Sequence, residues 1–342
     1  MEHELNAQTT AQGNASLKNA PTSILWIFAI GQMGWSLLSG IITNWLVYFY
    51  QPAATSGHTF FIPQGSVFIG LTVIGLITAF GRLFDAVTDP LIAASSDRCG
   101  HRLGRRIPFL RYSALPFAAV TVLIFCAPVN HESTVNSIWL FVTVILFYLF
   151  MTMYCTPFNA LIPELGRTQT ARINLSTYIS ITYFVGTCAA YLVPNVASFF
   201  EKSLGYENSI RVTIAILSTF AFLCMIIPAF IIDEHLYADT TPSKTKTFAS
   251  LGKSFKNKQF RIFVGSDILY WIALTIFQTG LPFYITELMH LPDSMTFILF
   301  AIMSALSFVF YPIVNLVAKK VGKKKLVVFA FLFFTFAFAL TV

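Results

Sequence analysis

Charge is what this chain has least of. Asp, Glu, Lys and Arg make up 11% of the 342 residues against 56% hydrophobic, a balance that leaves too few polar side chains to solvate a surface of that size. Catalytic signatures are missing as well. The chain contains no His-Glu-x-x-His, no Gly-x-Ser-x-Gly and no phosphate-cradling glycine loop, and its six His lie in the polar tail, loops or ends of apolar runs. The expectation is a protein that is not an enzyme and carries no metal or cofactor. Cys99, Cys126, Cys155, Cys188 and Cys224 stand singly without metal-ligand spacing, and read as small apolar packers without disulfides. The amino terminus has no basic leader, since Glu2 and Glu4 precede any basic residue. That excludes a signal peptide and leaves residues 1–23 as a polar cytoplasmic tail.

The apolar residues come in runs of about twenty rather than at amphipathic spacing, and mean hydropathy is +0.70. The chain therefore reads as an all-α polytopic membrane protein. The runs cover 24–50, 67–94, 108–128, 138–162, 175–197, 210–232, 260–284, 295–318 and 326–342. The net charge of +7 does not point to nucleic acid, because the basic residues sort by loop. Alternate loops carry Arg98, Arg102, Arg105 and Arg106, then Arg167 and Arg172, then the bases from Lys244 to Arg261, then those from Lys319 to Lys325, whereas the intervening loops hold only Lys202 and Arg211. By the positive-inside rule the rich loops and the amino terminus face the cytoplasm of a cell whose inner or plasma membrane holds the protein.

Six runs make an N-terminal half, 24–232. A polar stretch, 233–259, reads as a cytoplasmic linker, and 260–342 as a second half with about three spans. Basic residues around a glycine recur after the second span, Asp97-Arg98 to Gly104-Arg105-Arg106, and after the eighth, Lys319-Lys320-Val321-Gly322-Lys323. Such a repeat suits a transporter of two six-helix halves, here expected to be truncated to about nine helices.

The second span carries its own charges in Arg82-Leu-Phe-Asp85-Ala-Val-Thr88-Asp89-Pro90. Each costs roughly 2.5–3.5 kcal/mol at mid-membrane, about 7–10 together, while the fourteen Val, Leu, Ile and Phe residues from Val67 to Ile92 return roughly 4–8. A helix that marginal needs partners, and its charges face a bundle interior or aqueous path. Asp85 and Asp89 share a helical face with Arg82. Two carboxylates and one guanidinium leave a negative site that Na⁺ or a proton would balance; the alternative is an Arg82–Asp85 pair that only locks helices. Pro90 lacks an N–H and releases backbone oxygen near Ala86.

Arg82, Asp97, Arg98, Gly104, Arg105 and Arg106 read as a gate, with Asp97 near a helix N-terminus and the arginines on carbonyls or carboxylates that part when a carrier switches; the alternative is a topology signal alone. Candidate solute contacts are polar and aromatic residues inside spans: Gln32, Trp35, Asn44, Tyr154, Asn159, Tyr178, Tyr183, Asp267, Tyr270, Trp271 and Gln278. Sugars suit such a set, with amides and acids for hydroxyls and an aromatic face for the C–H side.

These motifs, with Ser96-Asp97-Arg98, Gly104-Arg105-Arg106-Ile-Pro108-Phe109 and Thr156-Pro157-Phe158-Asn-Ala-Leu-Ile-Pro163-Glu164, resemble the glycoside-pentoside-hexuronide:cation symporters of the major facilitator superfamily, typified by the melibiose carrier. The resemblance implies a two-half, twelve-helix bundle with alternating access and a Na⁺, Li⁺ or H⁺ site at Asp85 and Asp89. It adds Thr88, which stands where that carrier has an Asn, and Thr152, which matches a helix IV Thr beside the cation. The departures are that 24–50 contains no acid and that Cys155 occupies the helix IV sugar-acid position, which argues against a galactoside. The expected function is symport of a sugar or glycoside with Na⁺ or H⁺. Its rivals are a carrier of a non-sugar solute or an exporter, and a non-transporting fragment or membrane scaffold.

Overall fold

The computed structural model describes residues 17–52, 58–68, 70–242, 256–292, 294–303, 305, 306, 317 and 323–339. The chain divides into two compact units, Met1–Ser294 and Met295–Val342. Within the first unit α1 is Thr22–Tyr50, followed by the antiparallel pair β1 (Ser66–Phe68) and β2 (Leu71–Thr72), then α2 Val73–Asp97, α3 Ile107–Phe125, α4 Thr134–Leu165, α5 Gln169–Ala190, α6 Val193–Leu204, α7 Tyr206–Ile231, the single turn α8 Glu234–Tyr237 and α9 Lys258–Phe283. A π-helical turn, Tyr284–Leu288, extends α9. In the second unit α10 runs from Lys323 to Ala339. Half of the expected eighth span, 304, 307–316 and 318, and residues 319–322 of its lysine loop lie outside the described residues.

Among the described residues six helices are long and apolar enough to cross a membrane, counting α5 with α6 and α9 with its π turn. Helix α2 is not in that set, because Arg82, Asp85 and Asp89 interrupt it. Two boundaries differ from the hydropathy reading, each for a local reason. The run at 67–94 opens as a hairpin: the helix starts only at Val73, where the Thr72 hydroxyl accepts from the Gly75 N–H and caps the first turn. The run at 175–197 breaks after Ala190. Pro194, four residues on, has no N–H to return to the Ala190 carbonyl, and Trp45 Nε1 donates to that carbonyl at 2.8 Å instead.

Helix α1 packs against α5, α7 and α9, α2 against α4, and α3 against both α4 and α7. The approach of α1 to α5 requires glycine at 186, where a Cβ would lie 2.1 Å from Ser36 Oγ and 2.4 Å from the Met33 carbonyl oxygen. The helix after the polar stretch thus belongs with the first unit. Thr279 Oγ1 donates to the Thr43 carbonyl at 3.3 Å, and the Phe283 ring meets Tyr48 edge-on. At the same end of the bundle the Tyr50 hydroxyl donates to the Ile124 carbonyl at 2.5 Å and Arg211 Nε to the Phe125 carbonyl at 3.0 Å.

Candidate functional site

Helices α1, α2, α4, α5 and α9 line an open cavity of about 1380 Å³. Each helix contributes at helical spacing: Trp35, Ser39 and Thr43 from α1; Arg82, Asp85, Asp89 and Ala93 from α2; Thr152, Thr156 and Asn159 from α4; Tyr183 and Thr187 from α5; Asp267, Trp271, Thr275 and Gln278 from α9. Such i, i+3 and i+4 sets are what one wall of a helix can show to one space. The charged span is therefore a cavity wall, and the cost of placing its charges in a membrane is lowered by water and protein partners.

Between α2 and α4 two rungs repeat one turn apart. Thr152 Oγ1 donates to Asp85 Oδ1 at 2.5 Å, and Thr156 Oγ1 donates to Asp89 Oδ1 at 2.8 Å. Both partners are spaced by four residues on their own helix, so the two helices run in register along this seam. Asp89 is exposed to the cavity, whereas Asp85 is half-buried. Thr88 is buried, and its hydroxyl donates to the Asp85 backbone carbonyl at 3.1 Å, so it braces the helix rather than facing the carboxylates. Arg82 does not pair with Asp85 within 4 Å among the described residues; its guanidinium carbon lies 5.1 Å from the centroid of the Tyr148 ring. The locked-pair alternative is thus not what the geometry shows.

Of the expected solute contacts, Trp35, Asn44, Asn159, Tyr183, Asp267, Trp271 and Gln278 line the cavity. Gln32, Tyr154 and Tyr178 do not. Gln32 is buried on α1, Tyr154 is fully buried with its hydroxyl on the Met225 carbonyl at 2.9 Å, and Tyr178 stacks on Trp26 at 4.1 Å. The last two join α4 to α7 and α5 to α1. Tyr270 turns its ring edge-on to Trp271 beside the cavity.

The basic cluster lies away from the cavity, where the α2 C-terminus, the α3 N-terminus and the α4 C-terminus meet. Arg106 Nη1 is 2.6 Å from Glu164 Oε1, Arg106 Nη2 is 3.4 Å from Asp97 Oδ1, and Arg105 Nη2 is 3.2 Å from Glu164 Oε1. Arg106 also donates to the Ala160 carbonyl, and Arg105 Nη1 to the Thr241 carbonyl at 2.9 Å. Two placements differ from the expectation. Asp97 ends α2 instead of preceding a helix, and Arg98 follows it as C-cap. Arg82 is fifteen residues earlier, roughly 22 Å along the helix, and lines the cavity. The arginines lie on carbonyls and carboxylates as expected, and the described ion pairs all join elements of one unit.

The acid at the α3 N-terminus is Glu234, a residue that sequence reading left inside a linker. It is fully buried, and its carboxylate accepts the backbone N–H groups of Arg105 at 3.0 Å, Arg106 at 2.8 Å and Ile107 at 2.9 Å. The N–H groups of the N-cap, of the first helical residue and of the residue before the cap are satisfied at once. Gly104 adopts φ +106°, and a Cβ there would lie 2.3 Å from Glu234 Oε2. Nearby, the Thr241 N–H and hydroxyl bind Asp239 and hold its carboxyl below the usual carboxylate range. Glu164 was legible only within the family motif. No group of three or more His, Cys, Asp or Glu able to hold a metal occurs among the described residues.

Comparison with known proteins places these features in context. The family described as MFS/sugar transport protein matches residues 27–342. The isoprimeverose transporter of Lactiplantibacillus pentosus is 23% identical over 334 residues, 95% of this chain and 65% of that protein. The inner membrane symporter YicJ of Escherichia coli (strain K12) is 24% identical over 270 residues, 78% of this chain and 54% of that protein. The sodium-dependent lysophosphatidylcholine symporter 1 of Xenopus tropicalis is 30% identical over 113 residues, 33% of this chain and 21% of that protein. The chain spans between about half and two thirds of the length of the first two of these relatives.

Proposed function

Because this chain belongs to the MFS/sugar transport protein family, we propose that it is a secondary active transporter which couples movement of a sugar or glycoside to a cation by alternating access. The observation that carries the reading is the pair of rungs between α2 and α4, which sets two carboxylates, each with its own hydroxyl, on the wall of a solute-sized cavity. Asp85 and Asp89 offer four carboxylate oxygens, and Thr152 and Thr156 add two hydroxyl oxygens. An all-oxygen set of that size suits a small hard cation such as Na⁺. The word sodium in the name of one relative and symporter in the name of another agree with that choice. Thr88 supports the site by fixing the Asp85 turn.

In this reading residues 24–232 form one half, 233–259 the connection and 260–342 belong to the second half, in a plasma membrane with the amino terminus in the cytoplasm. The cation and solute enter the same cavity, and their joint binding favours closure on one side and opening on the other. Driving force is not limiting: one charge moved through 100 mV yields about 2.3 kcal/mol, roughly a forty-fold gradient. The clamp of Arg105, Arg106, Asp97 and Glu164 makes the half move as a body.

The test is accumulation of radiolabelled sugars in membrane vesicles with an imposed Na⁺ gradient, a proton gradient or neither. Expected is accumulation that follows the Na⁺ gradient and disappears in Asp89→Asn, with unchanged amounts of inserted protein. Equal accumulation by wild type and Asp89→Asn under the same gradient removes Asp89 from the coupling site.

A further inference from the structure

The two acids of α2 are each engaged by a threonine, but a third acid in the cavity is not. Asp267 carries no hydrogen bond or ion pair among the described residues, and it is exposed on the face of α9 that lines the cavity. It stands ten residues into α9, about 14 Å from the helix start, well inside the apolar stretch. Trp271 follows one turn later on the same face, 52% exposed, then Thr275 and Gln278. An acid and an indole at i, i+4 present a strong hydroxyl acceptor beside a flat apolar surface. From the opposite wall Trp35 meets the Tyr183 ring edge-on at 6.2 Å, and its indole Nε1 has no acceptor among the described residues. Around one space lie a carboxylate and aromatic surfaces.

Charge narrows what fills that space. Asp85, Asp89 and Asp267 face one guanidinium, Arg82, which already lies over the Tyr148 ring. The lining is net −2 from those four side chains, and −1 when a monovalent cation is seated. A solute with its own carboxylate or sulfonate would meet net like charge across the cavity, with Arg82 as the one cation among the described lining residues. A neutral pyranoside meets none of that penalty, and its vicinal hydroxyls can share the Asp267 carboxylate while its C–H face lies on Trp271.

We propose that this cavity selects uncharged glycosides against their acidic counterparts, and that Asp267 with Trp271 on α9 is the specificity-determining pair. The inference rests on the sugar:cation reading above and sharpens its solute class.

The test uses a matched pair of probes, methyl glucoside and methyl glucuronide, which differ by a carboxylate at C6. The protein is produced in cells that lack their own uptake of either probe, and each is measured for gradient-driven accumulation and for competition. Wild type is expected to prefer the glucoside by roughly tenfold or more, the scale on which misplaced like charge discriminates. Asp267→Asn is expected to raise the glucoside half-saturation concentration about tenfold and to shrink the preference, with membrane levels unchanged. Trp271→Phe keeps a smaller platform and should lose less than Trp271→Ala. Accumulation of the glucuronide equal to or above the glucoside in wild type overturns the proposal while leaving sugar symport intact. That comparison needs no variant to fold. A preference unchanged in Asp267→Asn removes Asp267 from it. No accumulation of either probe or of any sugar under either gradient overturns the sugar reading itself and this inference with it.

Discussion

At the scale of single residues the two carboxylate–threonine rungs are alike in form but differ in exposure, and that difference makes a prediction. Asp85 is half-buried, so the Thr152 hydroxyl at 2.5 Å replaces water that the carboxylate has lost. Asp89 is exposed, so removal of the Thr156 hydroxyl at 2.8 Å lets water take its place. A hydrogen bond to a charged group contributes about 1.5–3 kcal/mol when its loss leaves the group unsatisfied. Thr152→Val is therefore expected to weaken coupling-ion affinity by roughly tenfold or more, and Thr156→Val by only about twofold to threefold. Half-saturation by Na⁺ of solute accumulation measures both. Equal losses in the two variants would mean that the rungs act as one site with no difference in solvent access. Thr156 had been noticed in the sequence only as part of a motif. What placed Asp85 and Asp89 in view was charge inside an apolar run, and a threonine in a span gives no comparable signal, because its hydroxyl can always satisfy itself on a carbonyl one turn back.

Among the helices, those with continuous apolar runs were legible within a few residues, because twenty apolar residues can do little else in a membrane. The misread boundaries were decided by single polar events that hydropathy averages over, the Thr72 cap and the carbonyl that Trp45 takes from Ala190. Glu234 was hidden for a stronger reason. An acid at the start of a polar stretch looks solvated, and only the tertiary fold shows that it seats beneath the start of α3, 127 residues earlier in the chain. Its function is that of a cap supplied from outside the helix. Glu234→Ala leaves three N–H donors without their acceptor and is expected to lower stability by about 1–3 kcal/mol for each donor that water does not reach, read as a fall in the thermal midpoint of the purified protein. Glu234→Gln retains one acceptor oxygen and should lose less. Gly104→Ala combines a positive φ with a contact on the same carboxylate, and its cost should come close to that of Glu234→Ala without adding to it, since both break one joint.

Across the whole molecule, alternating access as proposed asks that each half move without deforming, and the basic cluster is the proposed source of that stiffness. Basic residues around Gly104 were expected to form a gate on the strength of their loop position, a property of topology that says nothing about which elements they join. The contacts show Arg106 reaching Asp97 on α2 and Glu164 on α4, while its own backbone N–H sits on Glu234. One residue at the start of α3 thus ties it to α2 and α4 through its side chain and to α8 through its backbone. If it acts as a clamp, Arg106→Ala should loosen the half without touching the ion or solute sites. Loss of a buried pair costs about 3–5 kcal/mol, but Asp97 and Glu164 keep partial access to water, and roughly 2 kcal/mol is the better expectation. The protein should then melt lower and transport several-fold more slowly, with half-saturation for cation and solute held within about twofold. A gate gives another pattern, because freeing one conformation shifts the apparent affinities along with the rate. Initial rates across a range of cation concentrations separate the two. A lower maximal rate at constant half-saturation marks a clamp, and a change in both marks a latch between conformations.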